Sequence, residues 1–176
     1  MDIMIIVYAV LSYLIGSIPS GLIIGKFFFN TDVRQYGSKN IGATNTYRVI
    51  GLKAALPVFL CDALKGAVGV VLLSPYGPMF MILGGILGMM GHNWSVFLGF
   101  KGGRGVATGL GVLIALSPIV ALICFLVWGV IVYFTKLVSL GSIIAAALVP
   151  VIVRHWDNIK RLLAGNELKV ERIKKD

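Results

Sequence analysis

Four apolar runs, Ile3 to Ile24, Ala54 to Leu73, Met79 to Phe100 and Val106 to Phe134, constrain this chain more than any other feature. A helix that crosses the hydrocarbon layer needs about 20 predominantly apolar residues. Inside lipid the backbone has no water to bond, so single runs of this length resolve into helices. The first three runs suit one crossing each. The fourth is too long for one and is interrupted at Leu116-Ser117-Pro118, where Ser-Pro favours a turn, so it divides into two short helices. A fifth run, Leu137 to Val153, is only marginally long enough. With 58% hydrophobic and 13% charged residues among 176, the composition argues against a soluble globular domain.

Only Asp2 precedes the first run, with no Lys or Arg, so the basic region of a secretory signal is missing and the run is expected to remain as the first anchor. Cys61 and Cys124 both fall inside apolar segments and read as small buried hydrophobes; neither a metal site nor a disulfide is suggested.

The cations set the expected orientation. Lys26, Arg34, Lys39, Arg48 and Lys53 crowd the first connection and Lys101 and Arg104 the third, whereas Ser74 to Pro78 and the Ser117-Pro118 turn have none. By the positive-inside rule the charged loops face the cytoplasm and the N-terminus lies outside. The C-terminal stretch from Arg154 holds seven of the sixteen Lys and Arg residues and should be cytoplasmic too. Five crossings from an outside start end inside at Lys136, so a further full crossing by Leu137 to Val153 would put that tail on the wrong side. The segment is therefore expected to be broken or re-entrant, with Pro150 as the break. This divides the chain into a transmembrane helical domain, 1–153, with cytoplasmic loops at 26–53 and 99–108, and a basic cytoplasmic segment, 154–176.

Polar chemistry then collects on one side. Tyr36 to Arg48 brings Ser38, Asn40, Thr44, Asn45 and Thr46 together with Gly37, Gly42, Lys39 and Arg48. Glycine admits close backbone approach, successive amides can form an anion-binding nest, and Arg presents a fork that matches phosphate oxygens. Alone, the loop could equally be a flexible polar connection that obeys the charge bias. The second loop, Lys101, Gly102, Gly103, Arg104 and Gly105, repeats the recipe immediately before an apolar run, where a helix would begin with free amides and the positive end of its dipole. Neither loop carries GxxxxGK[ST] or a strand-linked GxGxxG, which disfavours a nucleotide enzyme of the P-loop type.

Four ordered motifs go further: GSIPSG from Gly16, GSKNIGATNTYR from Gly37, GHNWSVFLGFKGGRGVAT from Gly91, and RHWDNIKRLLAGNE from Arg154 to Glu167. Together they span nearly the whole chain, which resembles the bacterial acyl-phosphate:glycerol-3-phosphate acyltransferases. The resemblance implies an all-α integral membrane protein of the bacterial inner membrane. It would be a polytopic bundle of about six to seven transmembrane or partly spanning helices with its active site at the cytoplasmic face. It also implies acyl transfer from acyl phosphate to the 1-hydroxyl of glycerol 3-phosphate, giving lysophosphatidic acid for phospholipid synthesis. No cofactor or metal is expected. The expected partners are membrane lipid, the two substrates and the soluble enzyme that supplies acyl phosphate, with no nucleic acid.

By position, Ser38 and Arg48 match the important serine and arginine of the family's first cytoplasmic motif, and Gly102, Gly103 and Gly105 match its glycerol-phosphate-binding segment. His155 and Asn158 match the activity-linked pair of the third motif; Glu167 matches a structural glutamate. Lys39, Asn40, Thr44, Asn45, Lys101, Arg104 and Thr108 complete the expected substrate-binding set. Two departures stand out. Arg104 replaces the family's usual second Lys, which keeps charge and changes geometry. Members also normally carry about twenty more residues before the RHxxN motif, enough for one more helix, and that shortfall accounts for the crossing-parity problem.

Acyl phosphate is an activated mixed anhydride, so such a site needs mainly to align a hydroxyl and neutralise charge. Either His155 or the donor's own phosphate could take the hydroxyl proton. No Ser-His-Asp or Ser-Lys arrangement is legible that would make Ser38 a covalent nucleophile. Asp62 and Lys65, three apart in an apolar run, read as a buried structural pair. His92 could orient the second loop, and Gly84, Gly85 and Gly88 suit close helix packing. The alternative functions are a transporter for an anionic phosphorylated metabolite, which would want polar groups at midplane and on both faces, and a scaffold that binds acidic lipid.

Overall fold

The computed structural model describes residues 2–165 and, among these, contains helices and turns without strands. The α-helices in chain order are α1 (Ile3–Ser17), α2 (Ser20–Phe29), α3 (Ala43–Val49), α4 (Leu52–Leu73), α5 (Pro78–Asn93), α6 (Val106–Leu116), α7 (Pro118–Thr135), α8 (Val138–Arg154) and α9 (Trp156–Leu163). By length and composition three stretches can each cross a membrane, Leu52–Tyr76 with α4, Pro78–Leu98 with α5 and Pro118–Thr135 as α7, as can the bent pair α1 and α2; α6 and α8 are shorter apolar helices.

Proline and glycine set most of the boundaries. Pro78 and Pro118 each open a helix, the position where a missing amide costs nothing. The first apolar run is broken into two helices bent by 44°. Pro19 lacks an amide and pushes the preceding residue out of helical conformation, and Ile18 accordingly has ψ 120°. Pro150 behaves otherwise than expected: α8 runs through it to Arg154 without a break. The cost is one lost hydrogen bond to the Ala146 carbonyl, which the helix absorbs near its end.

The described residues divide into two units, one ending at Phe125 and one beginning at Leu126. In the first, α4 packs against α1, α5 and α6, and α5 also packs against α1. Lipid is as apolar as leucine, so contacts between such helices depend on close approach of small residues. A methyl on Gly16 would strike the Gly88 carbonyl, on Gly84 that of Gly69, on Gly91 that of Tyr13, and on Gly111 that of Ala63. These contacts show the packing role expected of Gly84 and Gly88, and a methyl on Gly85 would press on the Val112 side chain. In the second unit α8 meets the end of α7 across the Lys136 turn, where Trp128 Nε1 donates to Ser142 Oγ at 3.3 Å.

The ends of the first unit differ in chemistry. At one, Tyr76 Oη donates to Asp2 Oδ2 at 3.4 Å and its ring meets Tyr8, so the chain start lies beside the uncharged α4–α5 turn. At the other, Tyr13 Oη donates to the Trp94 carbonyl at 2.6 Å and Ser95 Oγ to that of Ser17 at 2.5 Å. Both basic loops attach at this second end. Gly21 of α2 abuts the Ile41 carbonyl of the first loop, and Gly102 abuts the last carbonyls of α5 in the second.

Candidate functional site

The first loop is built around Asn45. Its side chain is 1% exposed. Nδ2 donates to the carbonyls of Val33 at 2.8 Å, Asn40 at 2.9 Å and Tyr36 at 3.2 Å, while Oδ1 accepts the Ser38 amide at 2.8 Å. Expected as a substrate contact, Asn45 is turned inward and braces the loop. The reason is that a loop folded back on itself leaves buried carbonyls, and an Asn amide from the next helix is the nearest donor. Asn40 Oδ1 likewise takes the Gly42 amide at 2.8 Å, just before α3 begins. Asn45→Ala is expected to destabilise the protein by about 2–3 kcal/mol, because several buried partners are left unpaired; thermal unfolding in detergent would read this directly.

The expected amide nest of the first loop does not survive this accounting. The Ser38, Lys39 and Gly42 amides all bond inside the loop. What faces outward is side-chain chemistry: Ser38, Lys39 and Arg48 are exposed, with Thr44 half-buried beside them. Lys39 holds a left-handed φ of 58°, a sparsely populated conformation for a side-chain-bearing residue, and Gly37 shares it.

Nearby cations are already committed. Arg34 grips Asp32 with both arms, Nε to Oδ1 at 3.0 Å and Nη2 to Oδ2 at 2.8 Å, and Lys26 adds a contact at 3.2 Å. The Arg34 guanidinium holds the Asp32 carboxyl well below the usual carboxylate range. Among the described residues Lys39, Arg48, Lys101 and Arg104 have no such carboxylate partner.

The second loop closes α5 and opens α6. Gly102 donates its amide to the Asn93 carbonyl at 3.1 Å and Gly103 to the His92 carbonyl at 2.9 Å. These two amides, expected to bind phosphate, therefore satisfy helix-end carbonyls that would otherwise be orphaned. Their lack of side chains serves close approach: a methyl on Gly102 would strike the His92 carbonyl, and one on Gly103 the His92 ring. Gly105, with φ 74°, is the N-cap of α6 and offers no side-chain cap, so the first-turn amides stay open at the positive end of the dipole. Lys101 and Arg104 are exposed there. Thr108 is fully buried, with Oγ1 lacking a hydrogen-bond partner, and its backbone lies against Gly66.

Behind this loop lie residues whose roles were only partly legible. Asp62 and Lys65 form an ion pair at 2.9 Å, as expected of a buried pair, and His92 Nδ1 faces the same carboxylate oxygen at 3.6 Å. The Ser95 hydroxyl, which sequence reasoning passed over, ties the segment after α5 to the α1 end through the Ser17 carbonyl. Serine in HNWS, just past the end of α5, was the available signal.

His155 and Asn158 lie in the second unit. The Val151 carbonyl only accepts, so His155 Nδ1, 2.9 Å away, carries the proton of the bond and leaves Nε2 with a lone pair in the neutral ring. Glu167 lies outside the described residues. An apolar hollow of about 350 Å³ in the first unit is lined by Phe59, Leu110, Ile114, Pro118, Ala121, Leu122 and Phe125.

A family described as Glycerol-3-phosphate acyltransferase matches residues 6–165. The chain is 44% identical to a Moorella thermoacetica protein named Glycerol-3-phosphate acyltransferase 2, across 92% of this chain and 95% of the other. It is 43% identical to a Fusobacterium nucleatum glycerol-3-phosphate acyltransferase, across 92% and 96%. Among solved structures it is similar to the glycerol 3-phosphate form of PlsY, an integral membrane glycerol 3-phosphate acyltransferase. The identity there is 38% and the TM-score 0.76, across 95% of this chain and 96% of that one. The lysophosphatidic acid form of PlsY gives 36% and 0.72. The Moorella alignment runs over 184 positions, and 92% of 176 residues is about 162, so about 22 of those positions have no residue in this chain.

Proposed function

Since this chain belongs to the glycerol-3-phosphate acyltransferase family, we propose that it transfers a fatty acyl group from acyl phosphate to the 1-hydroxyl of glycerol 3-phosphate, yielding lysophosphatidic acid for phospholipid synthesis. It is an acyltransferase integral to a membrane. The observation that carries the substrate reading is that, among the described residues, Lys39, Arg48, Lys101 and Arg104 have no carboxylate partner and sit on the two loops attached to one end of the first unit, the second of which opens α6. Two phosphorylated reactants repel each other, and counter-charges of this kind allow both to dock together.

In the reaction the 1-hydroxyl oxygen attacks the carbonyl carbon, the bond from that carbon to the phosphate oxygen breaks, and phosphate leaves with the electron pair. The hydroxyl proton passes to the departing phosphate, with His155 of the RHxxN motif the alternative base that the family's motif implies. Arg48 binds a phosphate in its fork, Ser38, Asn40 and Thr44 orient the glycerol part, and Asn158 acts with His155 in the RHxxN motif. Gly102, Gly103 and Gly105 shape the second loop, so that Lys101, Arg104 and the α6 amides meet phosphate. The acyl chain lies along the apolar hollow lined by Phe59, Ile114 and Phe125. No step requires a cofactor.

The basic end faces the cytoplasm, where a soluble enzyme delivers acyl phosphate, and the N-terminus lies outside. Cysteines engineered at position 39 and in the α4–α5 turn test this in intact cells; an impermeant reagent should label the turn only, and labelling at 39 would reverse the assignment.

The deciding experiment offers purified protein labelled glycerol 3-phosphate with palmitoyl phosphate or palmitoyl-CoA. Labelled lysophosphatidate is expected from the first donor alone. Product from the thioester, or from neither, would refute the reading. The transporter alternative finds no support among relatives and matched structures that bear acyltransferase names.

A further inference from the structure

Asp62 and Lys65 sit three apart on α4, so their side chains share a face. They are 2% and 5% exposed. A buried ion pair is a poor source of stability, since a well-packed apolar pair of the same size does as well or better. Its contacts suggest a different use. Lys65 Nζ, 2.9 Å from Asp62 Oδ1, also donates to the Ile18 carbonyl at 2.8 Å, at the break between α1 and α2. That carboxylate oxygen faces Nδ1 of His92, which is 3% exposed. The other side of the His92 ring lies against Gly103, and its carbonyl accepts the Gly103 amide at 2.9 Å. One carboxylate thus connects the Pro19 break on one side to the second basic loop on the other.

Resting on the acyltransferase reading above, we propose that Asp62, Lys65 and His92 are positioning residues for glycerol 3-phosphate. They hold the second loop and the α1–α2 break in the spacing that presents Lys101 and Arg104 to a phosphate, without touching substrate themselves. A purely structural pair would matter for folding alone; a positioning group also sets affinity.

The test compares wild type with Asp62→Asn/Lys65→Met, which removes both charges and keeps size, so that no unpaired ion is left buried. Expected are a thermal midpoint near wild type, a KM for glycerol 3-phosphate raised at least about 10-fold, and an unchanged KM for acyl phosphate. His92→Gln, which leaves the ion pair intact, should raise the same KM and decides the matter if the double variant does not fold. A folded double variant or a His92→Gln protein with wild-type KM for glycerol 3-phosphate overturns the proposal, as does a fall in kcat alone, which signals only a smaller active fraction. If wild type itself makes no product from acyl phosphate, the acyltransferase reading fails first and this one with it.

Discussion

Gly102→Ala is expected to lower kcat/KM by about 100-fold, the cost of displacing a binding group by about 1 Å. The added methyl meets the carbonyl oxygens of His92 and Asn93, backbone atoms in the last turn of α5 that cannot rotate away. The loop must therefore shift, and it takes Lys101 and Arg104 with it. Gly103→Ala pushes against the His92 ring instead, a side chain locked by burial, and should act in the same direction. Gly99→Ala, which meets no atom within 4 Å, is the control for a crowding effect, although its φ of 58° adds a small strain of its own. Steady-state kinetics on the three proteins would sink the idea if Gly102→Ala retained full turnover.

Arg48→Ala should cost about 2–4 kcal/mol of binding and transition-state stabilisation, or about 30- to 1000-fold in kcat/KM, because a charge-assisted fork on phosphate is lost. Arg48→Lys keeps the charge and loses the planar pair of bonds, so it should recover only part of that. Arg48 is exposed and has no carboxylate partner among the described residues, so the thermal midpoint should hardly move. Kinetics varied in glycerol 3-phosphate, set beside the unfolding curves, separate the two effects. A stable variant with wild-type KM and kcat would remove Arg48 from the site.

Much of the fold was legible because it rests on local rules. Apolar length marked the spans, and Ser117-Pro118 divided the long run at the residue where α7 begins. The same rules misjudged one proline. Pro150 was expected to break the fifth run and is tolerated inside α8, whereas at Pro19 α1 ends and the Ile18 carbonyl accepts from Lys65 and from the Ser20 amide. Each proline removes one amide from the helix ladder; the chain bends at Pro19 and runs on through Pro150. The site followed a similar division. Glycines and cations announced a phosphate chemistry, yet Asn45 and the amides of Gly102 and Gly103 turned out to be consumed internally.

By itself, then, the order of residues determined that this chain inserts in a membrane as helices, which end carries the charge, and which family its motifs belong to. Each of these depends on composition over a few turns of chain. Only the tertiary structure decided which cations are spent and which remain available: Arg34 closes on Asp32 while Arg48 does not, and Lys65 reaches Ile18 across 47 residues. Those outcomes are set by where distant backbone groups come to lie when small residues let the helices approach, and no local pattern encodes that distance.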